Sequence, residues 1–277
     1  MSVPAAALDA GTRSNRPARA PSLLRVRLAG VLGVVVLWEV VATLFAQLAT
    51  DDFFPHLWTL AAAYGEVFSS RFATDVALTG YELFWGLVFG IGAGLVLGLA
   101  LGLNRLAREI VEPLLVYLGT VPKIVLYPVL LLFLTVGVES KIAMAALSTF
   151  FPVVLHTITA ATEVRPLWLS TARVLRASAL QRLRYVYLPA MAPSVYSGIR
   201  LGIAAGIIGT LMAETKAADG GVGFRVIYYY SQYDIPEMYA VLILVFVFSI
   251  ALASVLGWLG RRLRLSESDP AEEGAFL

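Results

Sequence analysis

The amino-acid sequence predicts an all-α integral membrane protein with about six transmembrane helices and both termini in the cytoplasm. Of its 277 residues, 59% are hydrophobic and only 14% are charged, and the mean hydropathy is +0.80. Soluble domains are about 45–50% apolar and about 25% charged, so a water-soluble fold could not bury this much apolar surface. A helix needs roughly 20 mostly apolar residues to cross a bilayer, which leaves room for about six spans.

Six apolar runs are the candidate spans. They cover residues 28–48, 78–103, 114–136, 142–161, 190–213 and 239–259. The first run is longer than the apolar core of a signal peptide, and no convincing small-residue cleavage site follows it, so we expect an uncleaved helix. We expect residues 1–27 and residues 261–277 to be cytoplasmic tails, the first of them disordered.

The Lys and Arg residues predict the orientation of these spans, because cytoplasmic loops keep an excess of both. With the N-terminus inside, fifteen of the 21 Lys and Arg residues fall in cytoplasmic segments. Four fall in outer segments: Arg71, Lys141, Lys216 and Arg225. An odd number of spans would destroy this asymmetry, so both termini are predicted to be cytoplasmic.

The second candidate span carries glycine at every fourth position. These residues are Gly86, Gly90, Gly94, Gly98 and Gly102. Residues four apart share one face of a helix, and small residues let membrane helices approach closely. We expect this face to be a helix-packing surface, the alternative being the general enrichment of glycine in membrane helices.

The composition excludes several kinds of chemistry. With no cysteine, the chain has no disulfide, no catalytic thiolate and no Cys-based metal site. His56 and His156 are far apart in the sequence, so a His-rich metal site is not expected. A glycine-rich phosphate loop, GxxxxGK followed by Ser or Thr, is also absent. We expect no catalytic site and no cofactor in this chain, lipid around it, and no nucleic-acid partner.

The loop between the fourth and fifth candidate spans, residues 163–187, is strongly basic. Its apolar residues recur near helical spacing: Leu167, Val174, Leu175, Leu183 and Val186. Ser178 and Gln181 fit a capping box at a helix start. We expect two short amphipathic helices that meet near Arg176–Ser178. Their apolar faces need a partner, either a membrane surface or a groove on another protein.

This loop and the start of the next span contain a specific order of residues. They are Ser170, Thr171, Ala172, Arg173, Leu175, Arg176, Ala177 and Ser178, followed by Leu188 and Pro189. The order resembles the signature of ABC importer permeases, which reads EAA, three residues, G, nine residues, I, one residue and LP. The resemblance implies that these residues couple the chain to a cytoplasmic ATPase.

Two residues depart from that pattern. Ser170 stands where the family has an acidic residue, and Arg176 stands where it has glycine. Glycine adopts a left-handed turn at little cost, whereas arginine in that conformation costs about 1 kcal/mol or more. We expect either a different turn between the short helices or a direct contact of Arg176 with the partner.

The resemblance extends from Thr74 to Arg264. It includes Glu112-Pro113-Leu114-Leu115, Val121-Pro122-Lys123, Tyr127-Pro128, Glu139-Ser140-Lys141-Ile142, Phe150-Phe151-Pro152-Val153, Ala213-Glu214 and residues 217–224. These segments look like those of nitrate/sulfonate/taurine-type permeases. They imply a type I ABC importer architecture in the bacterial inner membrane, with a core over 74–260 and a coupling loop over 164–187. The implied partners are a second permease copy in a homodimer, two cytoplasmic ATPases that bind ATP and Mg, and an extracytoplasmic solute-binding protein.

Ionisable groups within spans are candidates for the transport pathway, because burying them in lipid is costly. Lys123 and Arg200 are such groups, and two cations at a shared cavity would suit an anionic solute. Tyr127 and Glu214 complete the set of pathway candidates. We expect Pro122 and Pro128 to kink the third span beside Lys123. The alternative is that Lys123 and Arg200 pair with Glu39 or Glu82 to hold helices together.

The outer segment 214–237 is rich in glycine and tyrosine, which indicates a tight re-entrant turn beside an interfacial aromatic belt or a contact with the binding protein. The implied function is import of a small anion such as nitrate, a sulfonate, taurine or a carboxylate. A pyrimidine thiamine precursor or another uncharged solute is the alternative. A secondary transporter would show inverted repeats, and an enzyme would show a nucleophile–base pair or a metal cluster; the sequence shows none of these clearly.

Overall fold

The computed structural model of the protein describes residues 23–48, 53–68, 70–263 and 265. It divides into two compact units, Met1–His56 and Leu57–Leu277, and each is described by itself. Of the expected cytoplasmic tails, residues 1–22, 264 and 266–277 lie outside the described residues. Every regular element within the described ranges is helical, which confirms the predicted all-α fold.

The first unit is built on helix α1, Leu23–Leu48, which includes the predicted first span. The chain after α1 packs against it: the indole N–H of Trp38 donates to the Pro55 carbonyl at 3.0 Å, and the Trp38 and Phe54 rings lie 4.5 Å apart. His56 Nδ1 is 3.3 Å from a carboxylate oxygen of Glu39. Most other described side chains of α1 are exposed and apolar, as expected for a helix surrounded by lipid.

The second unit contains the remaining helices. They are α2 (Leu57–Val67), α3 (Ser70–Leu103), α4 (Arg105–Thr120), α5 (Tyr127–Leu134), α6 (Val138–Thr162), α7 (Pro166–Val174), α8 (Ala179–Arg182), α9 (Leu188–Lys216), α10 (Val222–Gln232) and α11 (Ile235–Arg262). A 3-10 turn over Lys123–Leu126 precedes α5, and a π-helical segment over Leu183–Tyr187 joins α8 to α9.

Five helical stretches of the described residues are long and apolar enough to cross a membrane. They are Leu28–Gln47, Arg71–Leu103, Val138–Thr162, Ala179–Lys216 and Ile235–Arg262. The broken pair Arg105–Thr120 and Lys123–Leu134 makes a sixth if both parts form one span. This agrees with the predicted number of about six.

The predicted third span, residues 114–136, is not one kinked helix. The chain bends by 92° between α4 and the Lys123–Leu134 segment, so the expectation of a single helix with kinks was wrong. Pro122 cannot donate a backbone hydrogen bond, and it holds Val121 in an extended conformation with ψ of 129°. Pro128 lies in the first turn of α5, where a missing N–H costs nothing. One proline therefore breaks the helix and the other starts a new one.

The glycine stripe of α3 is a packing surface, as predicted. A Cβ atom added at Gly90 would lie 2.6 Å from the Ala146 carbonyl oxygen, and one added at Gly98 would lie 2.6 Å from Thr157 Cβ. Such distances leave no room for any side chain, so α3 and α6 approach backbone to backbone. The alternative of ordinary glycine enrichment does not explain this contact.

A second glycine-bearing helix, α9, packs against α6. A Cβ at Gly202 would lie 2.8 Å from Val153 Cγ2, and Gly198, Gly206 and Gly209 are equally crowded by α6 side chains. Half of the most apolar window of α6 is buried inside the chain, the highest share among the candidate spans. The α6 helix is therefore the centre of the second unit, with α3 and α9 packed against it.

An amphipathic helix, α10, occupies the outer segment in which the sequence indicated a re-entrant turn. Gly221 at its N-cap has φ of 104°, a conformation that favours glycine, so a tight turn is present but leads into a helix. The core under α10 is formed with α2 and α11 and includes the buried Tyr229. Tyr230 and Tyr233 are exposed. The tyrosines therefore do not form a single belt.

Candidate functional site

The predicted coupling loop forms two short helical segments, α7 and α8, as expected. Between them, the Ala177 N–H donates to the Ala172 carbonyl at 2.9 Å, and the Arg176 N–H donates to the Arg173 carbonyl at 3.0 Å. This is the Schellman pattern of a helix end. Arg176 has φ of 56°, so arginine adopts the left-handed turn that the signature glycine favours. The expectation of a different turn was therefore wrong, and the substitution changes the cost of the turn rather than its geometry.

The start of α8 has the predicted capping box. The Gln181 N–H donates to Ser178 Oγ at 3.2 Å, and the Ser178 N–H donates to Gln181 Oε1 at 2.8 Å. In α7, the hydroxyls of Ser170 and Thr171 both donate to the Leu167 carbonyl. These side chains thus stabilise the helices from within the loop.

One side of the loop packs against the rest of the second unit. Ala172 is buried, and Leu169, Val186 and Tyr187 pack against a core that contains Val164 and Met191. The other side is exposed. Its most exposed apolar side chains are Leu167, Val174, Leu175 and Leu180, with exposed fractions of 71–81%. We call these four residues the loop patch, and exposed apolar side chains of this kind on a loop that is predicted to be cytoplasmic indicate an interaction surface.

Leu188 and Pro189 begin α9 directly after the π-helical segment, with the proline in the first turn. Pro189 restricts the backbone there without costing a helical hydrogen bond. From Ala179 onwards, the loop is therefore continuous with α9 in a single helical stretch. This stretch, Ala179–Lys216, is the longest described candidate span.

Lys123 lies at the break in the third span. Its Nζ donates to the carbonyls of Gly119 and Val121, the latter at 2.8 Å, and lies 4.7 Å from the centroid of the Phe151 ring. Within the described residues, no carboxylate lies within 4.0 Å of this ammonium. The half-buried ammonium group of Lys123 is thus held by two backbone carbonyls and the Phe151 ring rather than by a carboxylate.

A cavity of about 680 Å³ lies beside Lys123. Its lining comes from α4, the Lys123 turn, α6 and α9, and it includes Thr120, Ser148, Phe151, His156 and Met212. The lining is mainly apolar with a few polar groups, which is typical of binding sites for small molecules.

The structure does not bring the other pathway candidates to this cavity. Arg200 is exposed on α9 and does not line it. Tyr127 is buried in a core with Met144, and its hydroxyl lies 3.4 Å from the Ala217 carbonyl. Glu214 is buried at the outer end of α9.

The predicted alternative, pairing of Lys123 or Arg200 with an acid, is also not observed in the part of the chain that the structure describes. Glu82 lies 3.8 Å from Lys141, and Glu39 pairs with His56 inside the first unit. The described acids in spans therefore have other partners.

A buried polar cluster at the outer end of the second unit was missed in the sequence. Asp75 Oδ1, Thr79 Oγ1 and Glu214 Oε2 accept hydrogen bonds from the backbone N–H groups of Gly221, Val222 and Gly223, at 3.0, 2.8 and 2.6 Å. These N–H groups begin α10 and have no partner within their own helix. Side chains of α3 and α9 therefore cap α10 from outside.

Two further contacts complete this arrangement, which we call the outer cluster. Thr79 Oγ1 donates to Glu214 Oε1 at 2.6 Å, and Arg225 of α10 donates to Asp75 from Nε at 2.7 Å and from a terminal nitrogen. The signal in the sequence was the spacing of Asp75, Thr79 and Glu82, which continues the glycine face of α3 towards its outer end.

Comparison with known proteins identifies the family. Residues 87–265 match the family model described as "Binding-protein-dependent transport system inner membrane component". That match covers more than half of the chain. The protein belongs to the permease family of binding-protein-dependent ABC importers.

Relatives of known name support this assignment and place the permease in the sulfonate/taurine-type subfamily. It is 30% identical to the taurine transport system permease protein TauC of Escherichia coli, over 71% of this chain and 74% of the relative. It is 26% identical to the formylaminopyrimidine transport permease protein ThiX of Halalkalibacterium halodurans, over 82% and 88%.

The fold of the permease is also found in a solved structure. It matches the inward-facing MetNI methionine ABC transporter with a TM-score of 0.55 and 20% identity, over 76% of this chain and 98% of that chain. This confirms the type I importer fold. The permease is thus a multi-pass protein of the bacterial inner membrane, in a family whose ATPase activity lies in a partner subunit.

Proposed function

We propose that this permease imports a small anionic solute of the sulfonate, taurine, nitrate or carboxylate kind through the cavity beside Lys123. The observation that carries the proposal is the position of Lys123, a cation that no described carboxylate approaches, at the wall of a cavity of about 680 Å³. The name of the TauC relative supports the same class of solute.

The surroundings of Lys123 favour recognition of an anion. Two carbonyl oxygens and the Phe151 ring fix the ammonium group but leave its charge uncompensated. Beside a mainly apolar wall, such a charge attracts an anion more strongly than it does in bulk solvent. The hydroxyl of Ser148 and the ring of His156 line the same cavity and can donate further hydrogen bonds to anionic oxygens.

The loop patch completes the proposed mechanism. We place a cytoplasmic ATPase on Leu167, Val174, Leu175 and Leu180, in an assembly of two permease copies, two ATPases and a solute-binding protein. Because the loop continues into α9, closure of the ATPases on ATP and Mg would tilt α9, whose residues line the cavity. Access to the cavity would then alternate between the two sides of the membrane.

The proposal is tested by ATP-driven uptake in proteoliposomes that contain the whole complex and its binding protein. Lys123→Gln should reduce uptake of an alkanesulfonate at least about tenfold, because a charged hydrogen-bond partner contributes about 1.5–3 kcal/mol. Lys123→Arg keeps the charge and should retain most of the uptake. Normal uptake by Lys123→Gln, with normal complex yield, would contradict the pathway assignment.

An uncharged pyrimidine is the second candidate solute, since the permease is similar to ThiX over most of its length. The mainly apolar lining with Phe151 and Met212 would accept a flat ring. The same proteoliposomes decide between the two, because uptake of formylaminopyrimidine should be insensitive to Lys123→Gln, whereas uptake of an anion should not.

A further inference from the structure

The outer cluster and the adjacent pair of Glu82 and Lys141 together hold an uneven number of charges. The acids are Asp75, Glu82 and Glu214, and the cations are Lys141 and Arg225; all except Arg225 are at most 5% exposed. We include Glu82 and Lys141 in the outer cluster from here on. Arg225 is bound to Asp75 through two of its nitrogens, so this pair is neutral. Lys141 then remains for two carboxyl groups, which leaves one negative charge in excess if both are ionised.

Glu214 is well provided with donors. Its Oε1 accepts the Thr79 hydroxyl at 2.6 Å, and its Oε2 accepts the Gly223 N–H at 2.6 Å. A carboxylate with a donor on each oxygen is stabilised in its charged form. Of the two carboxyl groups, Glu214 is therefore the one that its neighbours stabilise in the ionised form.

Glu82 has the opposite environment. Its side chain is fully buried, and neither of its oxygens has an N–H or hydroxyl donor among the described residues. Lys141 Nζ is 3.8 Å away and donates instead to the Gly137 carbonyl at 3.2 Å. An ionised carboxylate in this position would have only the Lys141 ammonium, at 3.8 Å and without a hydrogen bond, to offset the cost of its burial.

The carboxyl of Glu214 lies close to Glu82, because Thr79, which donates to Glu214 Oε1, is one turn before Glu82 on the same face of α3. Two neighbouring buried carboxylates repel each other, but a protonated one can donate to an ionised one. Tyr127 of α5 packs with Ala213, the residue before Glu214, and it adds no positive charge. The carboxyl groups of Glu82 and Glu214 are therefore arranged to share a single proton.

We propose that Glu82 and Glu214 form a proton-binding site in which Glu82 carries the proton and donates it in a hydrogen bond to Glu214. The bound proton joins α3 to α9, and through Thr79 and Gly223 it supports the cap of α10. No group of three or more His, Cys, Asp and Glu side chains in the described ranges is arranged for a metal ion, which favours a proton over a metal cation.

Loss of this proton places a second negative charge inside the outer cluster. The charged side chains around this new carboxylate are Asp75, Lys141 and Arg225. Among these, Asp75 and Arg225 are paired with each other, so Lys141 is the cation that can offset the added charge. The contacts that hold the outer ends of α3, α9 and α10 together should then weaken. The site thus makes the outer end of the permease sensitive to proton concentration.

Thermal unfolding of the purified permease–ATPase complex, in buffers from mildly acidic to alkaline, tests this proposal. The wild-type unfolding midpoint should fall as the pH rises, because the native state holds a proton that the unfolded chain has already released. Glu82→Gln keeps the shape and an N–H donor towards Glu214 but does not titrate, so most of this fall should disappear. Glu109→Gln, at an exposed position of α4, should keep the wild-type pH dependence.

An equally steep fall in Glu82→Gln would overturn the proposal. Infrared spectra supply a readout that does not depend on unfolding: a band of a protonated carboxyl group should be present in the wild type at neutral pH and absent in Glu82→Gln. Lack of that band in the wild type also overturns the proposal. A midpoint that follows the sodium concentration at fixed pH, with choline as the control cation, would assign the site to a metal cation instead.

Discussion

Arg225 donates from Nε and from a terminal guanidinium nitrogen to one carboxylate oxygen of Asp75, 150 residues earlier in the chain. The other oxygen of Asp75 accepts the Gly221 N–H. One buried acid thus fixes both the first turn and a side chain of α10. This makes Asp75 the main connection between α3 and the outer helix.

Replacement of Asp75 with Asn should destabilise the permease strongly. The variant leaves the Arg225 guanidinium largely buried without its acid, and breaking a buried pair in this way costs about 3–5 kcal/mol. Thermal unfolding of the complex measures the loss. The double variant Asp75→Asn with Arg225→Gln should be less destabilised than the sum of the two single variants.

Asp234→Asn serves as the matched control for this prediction. Asp234 is exposed at the N-cap of α11, and its side chain makes no capping hydrogen bond. The control should change the unfolding midpoint little. A midpoint for Asp75→Asn that equals that of the control would show that the pair contributes nothing to stability.

The Asp75–Arg225 pair also shows why the outer cluster could not be predicted from the sequence. Its members are separated by up to 150 residues, and a single sequence does not reveal which distant acid meets which base. Only the positions on α3 were readable, because Asp75, Thr79 and Glu82 share a helix face with Gly86.

Local signals were more informative. The four-residue spacing of glycine in α3 predicted a helix-packing face, because close backbone approach needs residues without a Cβ atom, and the structure shows that this face contacts α6. Ser178 and Gln181 predicted the start of α8, because a capping box involves only neighbouring residues. Pro122 signalled a disturbance, but whether a proline kinks or breaks a helix depends on the packing around it.

Arg176→Gly should stabilise the permease by about 1 kcal/mol, because glycine adopts the left-handed turn between α7 and α8 without the steric cost that arginine has. Arg176→Val should destabilise it, since a β-branched residue is strained there. Thermal unfolding of the isolated permease provides the comparison. If Arg176→Gly lowers the unfolding midpoint, the arginine side chain makes a stabilising contact that outweighs the strain.

Leu175→Glu should abolish co-purification of the ATPase while the permease itself remains folded. Leu175 belongs to the loop patch and is 75% exposed, so the fold loses little when a charge replaces it. A desolvated contact with the ATPase would instead have to bury that charge. Affinity purification of the tagged permease, followed by quantification of the ATPase, measures the effect.

Tyr230→Glu is the control for this substitution, since Tyr230 is an exposed apolar residue on the outer helix α10. Its ATPase yield should equal that of the wild type. An unchanged ATPase yield for Leu175→Glu would place the ATPase contact elsewhere on the permease.

Two glycines of α3 allow a direct test of the packing between α3 and α6. A Cβ at Gly98 would lie 2.6 Å from Thr157 Cβ, whereas a Cβ at Gly92 would have no atom within 4 Å. Gly98→Ala should therefore destabilise the permease by about 1–3 kcal/mol, because the two helices must separate to admit the methyl group. Gly92→Ala should be neutral or slightly stabilising, since alanine favours the helix. Thermal unfolding of both variants measures the difference, and equal midpoints would mean that α3 and α6 do not depend on close backbone contact.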